Sequence, residues 1–156
     1  MSKLMVMIGI PGSGKSTWVS KNQNGAVIVS PDQYLMENYN YEWSIENASE
    51  AWAHSYQIYA RLLKAGSNII WDATFTRVID RSAVLNIAIG FGLHCTAVYL
   101  DTPLETCLER NEYRNRRPVP LNTILHMSKG IQLPTLEEGF HSILTKLCTF
   151  FMYNIF

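Results

Sequence analysis

Gly9-Ile10-Pro11-Gly12-Ser13-Gly14-Lys15-Ser16 is the segment that decides the fold, because it matches the pattern GxxxxGK[ST] at every fixed position. It follows an apolar run and opens a helix-forming segment, which is the setting in which this pattern forms a phosphate-binding loop. The backbone N–H groups of such a loop turn inward around a phosphate, and the helix dipole adds partial positive charge there. The alternative interpretation is a Gly/Ser turn that carries a lysine by chance.

The loop predicts a site for ATP, or for GTP, together with Mg²⁺. Lys15 is expected to reach the β- and γ-phosphates as a point charge, and the Ser16 hydroxyl to ligate Mg²⁺. The predicted nucleotide-binding residues of the loop are Gly12, Ser13, Gly14, Lys15, Ser16 and Thr17.

Outward from the loop, short apolar runs alternate with helical segments, which indicates βαβ units and a parallel sheet. The predicted strands are residues 4–10, 26–30, 68–72 and 95–100, with a last one within 142–151. The predicted helices begin after Gly14, after Asn47 (a capping box with Glu50), near Thr76, after Thr102 (an N-cap hydroxyl before Pro103) and near Pro120. We therefore expect a three-layer α/β/α sandwich that forms one domain, residues 1–156.

Composition narrows the functional class. The chain has 156 residues, a formal net charge of zero and a pI near 6.9, a balance that counts against wrapping long duplex nucleic acid. The three cysteines, Cys95, Cys107 and Cys148, form no CxxC pair and are predicted to be reduced core residues. The apolar run 4–10 is expected to be a buried strand rather than a signal peptide. We expect a cytoplasmic protein without a membrane span.

Two carboxylates follow predicted strands. Asp32 comes after the second strand and Asp72 ends the third, so both should lie beside the phosphate loop at the carboxyl edge of the sheet. Asp32 is a candidate base that takes the proton of an acceptor hydroxyl. Asp72 could hold a Mg²⁺-bound water or orient a neighbour. The structural alternative for each is a helix or turn cap.

Four of the thirteen basic residues lie on one short connection: Arg110, Arg114, Arg116 and Arg117. Pro118 and Pro120 then break the helix that precedes them. Forked guanidinium donors suit phosphate oxygens, so a lid at about residues 110–120 is predicted to close over the nucleotide. A solvated, charged helix end is the alternative, and we expect two of the four arginines to be functional.

Five motifs in order resemble the polynucleotide 5′-hydroxyl kinase group, which includes the kinase domains of polynucleotide kinase–phosphatases and free-standing relatives. The motifs are GIPGSGKSTW, Ser30-Pro31-Asp32-Gln33-Tyr34, IIWDAT, RNEYRNRRPVP and LPTLEEGF, and they span roughly residues 1–143. The resemblance implies a P-loop NTPase fold with strand order 2-3-1-4-5.

The same resemblance implies a role for individual residues. Lys15 and Ser16 would handle phosphate and metal, Asp32 would be the general base and Asp72 the second acid. Arg110 and Arg114 would be lid arginines, with Arg117 at a third basic position. The implied catalytic residues are Lys15, Asp32, Asp72 and Arg114, and the implied acceptor is the 5′-hydroxyl of a nucleic-acid end.

The segment that should border the acceptor departs from this group. Leu35 stands where the phage member has an arginine for the acceptor phosphate, and no basic residue lies between Lys21 and Arg61. An acidic border suits a polyanionic acceptor badly. Its aromatic residues, Tyr34, Tyr39, Tyr41 and Trp43, either stack on a base or pack a loop.

Three functions therefore remain open: a 5′-hydroxyl polynucleotide kinase, a kinase of nucleosides, sugars or antibiotics, and a nucleotide-dependent switch. Asp32 argues against the switch, because switches seldom keep a base aimed at a hydroxyl. The apolar segment 148–156 is predicted to be a final strand or a surface for homo-oligomer formation.

Overall fold

A computed structural model describes residues 1–114 and 118–147 of the chain. The strands are β1 (Lys3–Ile8), β2 (Val27–Val29), β3 (Ile69–Trp71), β4 (His94–Asp101) and β5 (Ser142–Leu147). The helices are α1 (Lys15–Asn22), α2 (Pro31–Tyr39), α3 (Ile45–Lys64), α4 (Val78–Gly90), α5 (Leu104–Glu112) and α6 (Leu121–Lys129), with a 3₁₀ turn at Leu136–Glu138. The segment 148–156, and with it the prediction of a final strand or oligomer surface there, lies outside the described residues.

The five strands form one parallel sheet in the order β2-β3-β1-β4-β5, which confirms the predicted fold and strand order. Alternate side chains of β1 enter different cores, as the pleat of a strand requires. Val6 and Ile8 pack with Tyr59 of α3 and other residues of α3 and α4, whereas Met7 packs on the opposite face with α1. The sheet is thus covered on both faces, which makes the three layers.

Three local predictions were wrong. The third helix begins at Ile45 rather than after Asn47, because Ser44 is its N-cap and accepts a hydrogen bond from the Asn47 amide at 3.0 Å. Thr102 does not cap α5: its N-cap is Pro103, and the Thr102 hydroxyl is used elsewhere. The sequence prediction also lacked α2, whose start has a Ser30 cap that accepts from the Gln33 amide.

No helix within residues 1–114 and 118–147 is long and apolar enough to cross a membrane. Cys95 and Cys107 are buried free thiols, as predicted for core residues, while Cys148 lies in the part that is not described.

Candidate active site

The phosphate loop connects β1 to α1, and its backbone requires glycine at two positions. Gly12 and Gly14 have φ angles of 84° and 97°, in the left-handed region that side chains rarely adopt. A Cβ at Gly12 would in addition collide with the carbonyl oxygen of Cys107 on α5. Any side chain at position 12 would therefore displace either the loop or α5.

Hydrogen bonds with two neighbouring segments hold the loop in place. The Gly9 amide donates to the Thr74 carbonyl at 3.0 Å, just after β3. The buried Thr102 hydroxyl donates to the Ser13 carbonyl at 2.8 Å, from the end of β4. One loop amide and one loop carbonyl are thus bonded to neighbouring parts of the sheet, so the fold helps to set the conformation of the loop.

Lys15 lies against the beginning of the loop. Its ammonium donates to the carbonyls of Gly9 at 2.8 Å and Ile10 at 3.1 Å. The charge is half-buried and is held within the loop that the sequence assigned to phosphate.

Ser16 and Asp72 meet although they are 56 residues apart. The Ser16 hydroxyl donates to Asp72 Oδ2 at 3.3 Å. One hydroxyl and one carboxylate are hard oxygen ligands, and Mg²⁺ is usually bound by one or two carboxylates with several waters. The pair therefore fits the predicted metal ion. No group of three or more His, Cys, Asp or Glu within the described residues could hold a metal.

Asp32 lies at the same edge of the sheet as Asp72. The Asp72 amide donates to the Val29 carbonyl at 2.9 Å, which fixes the end of β3 beside the end of β2. Asp32 follows Val29 by three residues, in the first turn of α2, and its side chain is exposed. An acid in the first turn also complements the helix dipole, so position alone is compatible with the cap alternative.

Two of the four predicted arginines are described by the structure. Arg110 Nη1 donates to the Gly12 carbonyl at 3.2 Å, which brings the end of α5 onto the phosphate loop. Arg114 Nη1 is buried and has no hydrogen-bond partner among residues 1–114 and 118–147. Arg116 and Arg117 lie outside the described residues.

Asn111, which the sequence did not single out, joins the two ends of the arginine segment. Its side-chain amide donates to the Val119 carbonyl at 2.9 Å and accepts from the Val119 amide at 2.9 Å. Asn111 is buried, so both bonds are shielded from water. Residues 111 and 119, which lie on either side of Arg114 in the sequence, are therefore held together.

The aromatic residues of α2 pack against α3. The hydroxyls of Tyr34 and Tyr39 both donate to the Glu50 carboxylate, at 2.6 and 2.7 Å. These bonds lower the pKa of Glu50 and raise that of Tyr34 to about 12. Leu35 is buried, and Trp43 is 64% exposed. Tyr34 and Tyr39 thus hold the α2–α3 hairpin, while Trp43 stays in solvent.

A parallel sheet with this loop, and with Ser16 and Asp72 in contact, defines a P-loop protein with a site for a nucleoside triphosphate. The protein family described as an AAA domain matches residues 4–134. The chain belongs to that family.

Individual proteins of known structure or activity resemble the chain. L-seryl-tRNA(Sec) kinase of Mus musculus is 35% identical over 71 residues, which are 46% of this chain and only 20% of that protein. A candidate kinase from Chloroflexus aurantiacus superimposes with a TM-score of 0.75 at 20% identity, over 96% of this chain and 89% of the other.

Two further structures share the fold. A chain of the Pnkp1/Rnl/Hen1 RNA repair complex gives a TM-score of 0.72 at 20% identity, over 83% of this chain and 43% of the other. The APS kinase CysC of Mycobacterium tuberculosis, in complex with AMPPNP and APS, gives a TM-score of 0.58 at 19% identity. The match covers 92% of this chain and 88% of the other. At these identities the structures share a fold with this chain.

Proposed function

We propose that the protein binds ATP with Mg²⁺ and transfers the γ-phosphoryl group to the 5′-hydroxyl of a nucleic-acid end. The observation that carries the proposal is the contact between Ser16 and Asp72 beside a complete phosphate loop. It joins a phosphate cradle to a carboxylate at the edge of the sheet where P-loop enzymes carry out their chemistry.

Each proposed step uses a residue of this chain. Asp32 takes the proton of the acceptor hydroxyl while its oxygen forms a bond to the γ-phosphorus, and the bond to the β,γ-bridging oxygen breaks to release ADP. Lys15 binds the β- and γ-phosphates. Ser16 and Asp72 would hold Mg²⁺, and the bound ion would supply positive charge to the phosphate oxygens.

The arginines supply the remaining positive charge. Arg114 is half-buried, and its buried Nη1, which has no partner in the described part of the chain, suits a γ-phosphate oxygen. Arg110, already on the phosphate loop, and Arg117 would complete a lid at about residues 110–120. Such an arginine can be worth about 10³–10⁵ in rate.

A nucleic-acid acceptor is supported by the ordered motifs of the polynucleotide kinase group. It is supported as well by the likeness to a kinase whose name specifies seryl-tRNA and to a chain of an RNA repair complex. Both names refer to RNA, one to a seryl-tRNA and the other to an RNA repair complex.

A small-molecule acceptor is the second candidate, and the acidic border of α2 and α3 favours it. The side chains of Glu37, Glu42, Glu46 and Glu50 are exposed there, and no lysine or arginine offsets them between Lys21 and Arg61. A surface of one sign repels a polyanion of the same sign.

One experiment separates these acceptors. ATP labelled at the γ-phosphate is offered with a 5′-hydroxyl RNA, a 5′-hydroxyl DNA and a panel of nucleosides and sugars. We expect label on a 5′-hydroxyl end, and its loss in Lys15→Ala, because the phosphate charge is left unpaired. A Lys15→Ala variant that keeps more than about a tenth of the activity would contradict the phosphate-loop assignment, since ion contacts of this kind exceed ~1.4 kcal/mol.

The base is tested by Asp32→Asn, which keeps the size of the side chain. We expect kcat to fall by about 10²-fold or more while ATP affinity changes little. A matching loss of ATP affinity would assign Asp32 to the metal or to the structure instead.

A further inference from the structure

A pocket of about 430 Å³ lies where the chain leaves β3, between α3 and α4. It is lined by Trp52 and Tyr56 of α3, Thr74 and Phe75 after β3, and Ile79, Asp80 and Ala83 of α4. We call it the aromatic pocket. Its volume is in the range of about 300–1,000 Å³ that small-molecule sites occupy.

Aromatic rings form the wall of this pocket. The Trp52 ring centroid lies 6.2 Å from that of Tyr56 and 5.9 Å from that of Phe75, with an edge-to-face angle of 79° to Phe75. Trp71 of β3 stacks behind Trp52 at 6.2 Å and fixes its ring. The Trp71 indole N–H is buried and has no hydrogen-bond partner in the described part of the chain. Such a rigid aromatic wall is suited to a planar ring.

The aromatic pocket is connected directly to the phosphate loop. Thr74 lines the pocket, and its carbonyl accepts the Gly9 amide at 3.0 Å. Asp72, two residues earlier, accepts from Ser16. A molecule in the pocket would therefore lie next to the segment that holds both the loop and the proposed metal site.

The charge in the pocket is largely neutralised. Arg77 pairs with the Asp80 carboxylate through two hydrogen bonds of 2.8 and 2.7 Å. Burial, and then the charge of Asp80, raise the pKa of Tyr56, so its phenol stays protonated. A neutral ring fits these surroundings better than a cation or a polyanion.

We propose that the aromatic pocket binds the base of a nucleoside acceptor, so that the terminal nucleoside is recognised by stacking on Trp52 and Tyr56. This rests on the phosphotransfer proposed above and narrows its substrate class. Stacking of one base on aromatic side chains is worth about 1–3 kcal/mol, or roughly 5- to 150-fold in affinity. The acceptor is thus held by its ring rather than by its phosphates.

The test uses uridine 3′-monophosphate and adenosine 3′-monophosphate as acceptors, with saturating ADP and Mg²⁺ in binding measurements to occupy the donor site. Trp52→Ala should weaken the binding of both, and raise their KM, by about 5- to 150-fold, and leave the Kd of ATP unchanged. Trp52→Phe keeps a ring and should stay within about threefold of the parent protein. Phe91→Ala removes an exposed aromatic ring at the C-terminal end of α4, outside the pocket, and is the matched control.

A second variant keeps the test valid if Trp52→Ala does not fold. Ala83 is exposed on α4 and lines the pocket, so Ala83→Trp should fill the pocket, exclude both nucleotides and keep ATP affinity. If Trp52→Ala and Ala83→Trp bind the nucleotides as well as Phe91→Ala does, the inference is wrong. Binding that depends on Trp52 without phosphate transfer would support the pocket and contradict the proposed function. Phosphate transfer that is unchanged in both Trp52→Ala and Ala83→Trp would support the proposed function and contradict the role of the pocket.

Discussion

Arg81 forms a buried ion pair on which the stability of the protein should depend. It is fully buried on α4, and its guanidinium pairs with both oxygens of Glu138, at 2.6 and 2.7 Å. It also donates to the carbonyls of Phe75, Gln132 and Leu133 at 2.9–3.3 Å. One side chain therefore ties together the strand-to-helix segment at the aromatic pocket and the LPTLEEGF motif.

The perturbation is Glu138→Gln, which leaves the guanidinium buried opposite a neutral amide. Removing one partner of a buried pair costs about 3–5 kcal/mol, because the remaining charge is uncompensated. For a chain of this size we expect the melting temperature to fall by about 6–20 °C, at ~2–4 °C for each kcal/mol. Urea unfolding followed by tryptophan fluorescence measures the same loss as a shift in midpoint at unchanged slope.

The double variant Arg81→Met/Glu138→Leu separates charge from packing. It removes both charges, so it should be less destabilised than Arg81→Met alone, which strands the carboxylate. The exposed pair of Arg77 and Asp80 is the matched control, and Asp80→Asn should cost no more than about 1 kcal/mol. A cost below about 1 kcal/mol for Glu138→Gln would refute the reasoning.

Three further predictions concern the loop, the lid and a buried thiol. Arg114→Ala should lower kcat by at least ~10²-fold in steady-state assays, with a smaller effect of Arg116→Ala; equal, small effects would favour a solvated helix end. Gly12→Ala should weaken ATP binding, measured by calorimetry, by more than about tenfold, because of backbone strain of ~1–2 kcal/mol and the collision with Cys107; unchanged affinity would contradict this. Burial raises the pKa of Cys95 to about 11, so it should react with a thiol reagent at pH 8 only as fast as the protein opens; immediate labelling would contradict its burial.

The phosphate loop and the alternation of apolar runs were enough to predict the sheet and its layers, whereas its strand order was predicted from the resemblance to the polynucleotide kinase group. These signals are local: the loop needs glycines at fixed positions, and a buried parallel strand is an uninterrupted apolar run. Helix starts were less predictable because competing caps lie close together. Ser44 and Asn47 are three residues apart, and both are good N-cap residues.

The parts of the site that the sequence did not reveal depend on partners far along the chain. Thr102 looks like a helix cap, yet its hydroxyl bonds Ser13, 89 residues away. Nothing near Arg81 marks it as buried, since Glu138 lies 57 residues further on. The aromatic pocket likewise combines α3, β3 and α4, whose spacing in sequence gives no common pattern.

The burial of Leu35 decides which substitutions can test the charge of the acceptor. As the residue at the position of the phage arginine, it could be replaced by arginine to restore a phosphate contact. Leu35 is only 8% exposed, however, and a guanidinium there would be buried without a partner at a cost of several kcal/mol. A test of acceptor charge must instead use exposed positions of the same acidic segment.

Glu42 and Glu46 are exposed, and they lie on the segment that joins Asp32 to the aromatic pocket. If the acceptor is a nucleic-acid strand, Glu42→Lys/Glu46→Lys should lower its KM by about three- to tenfold and steepen the salt dependence by ~0.7 for each new phosphate contact. The KM of an uncharged nucleoside should not change, since it offers no phosphate. The control Glu105→Lys/Glu137→Lys makes the same change in net charge at exposed sites on α5 and the 3₁₀ turn. Equal effects of the two variants, or none on the oligonucleotide, would contradict a nucleic-acid acceptor at this border and favour the small-molecule kinase.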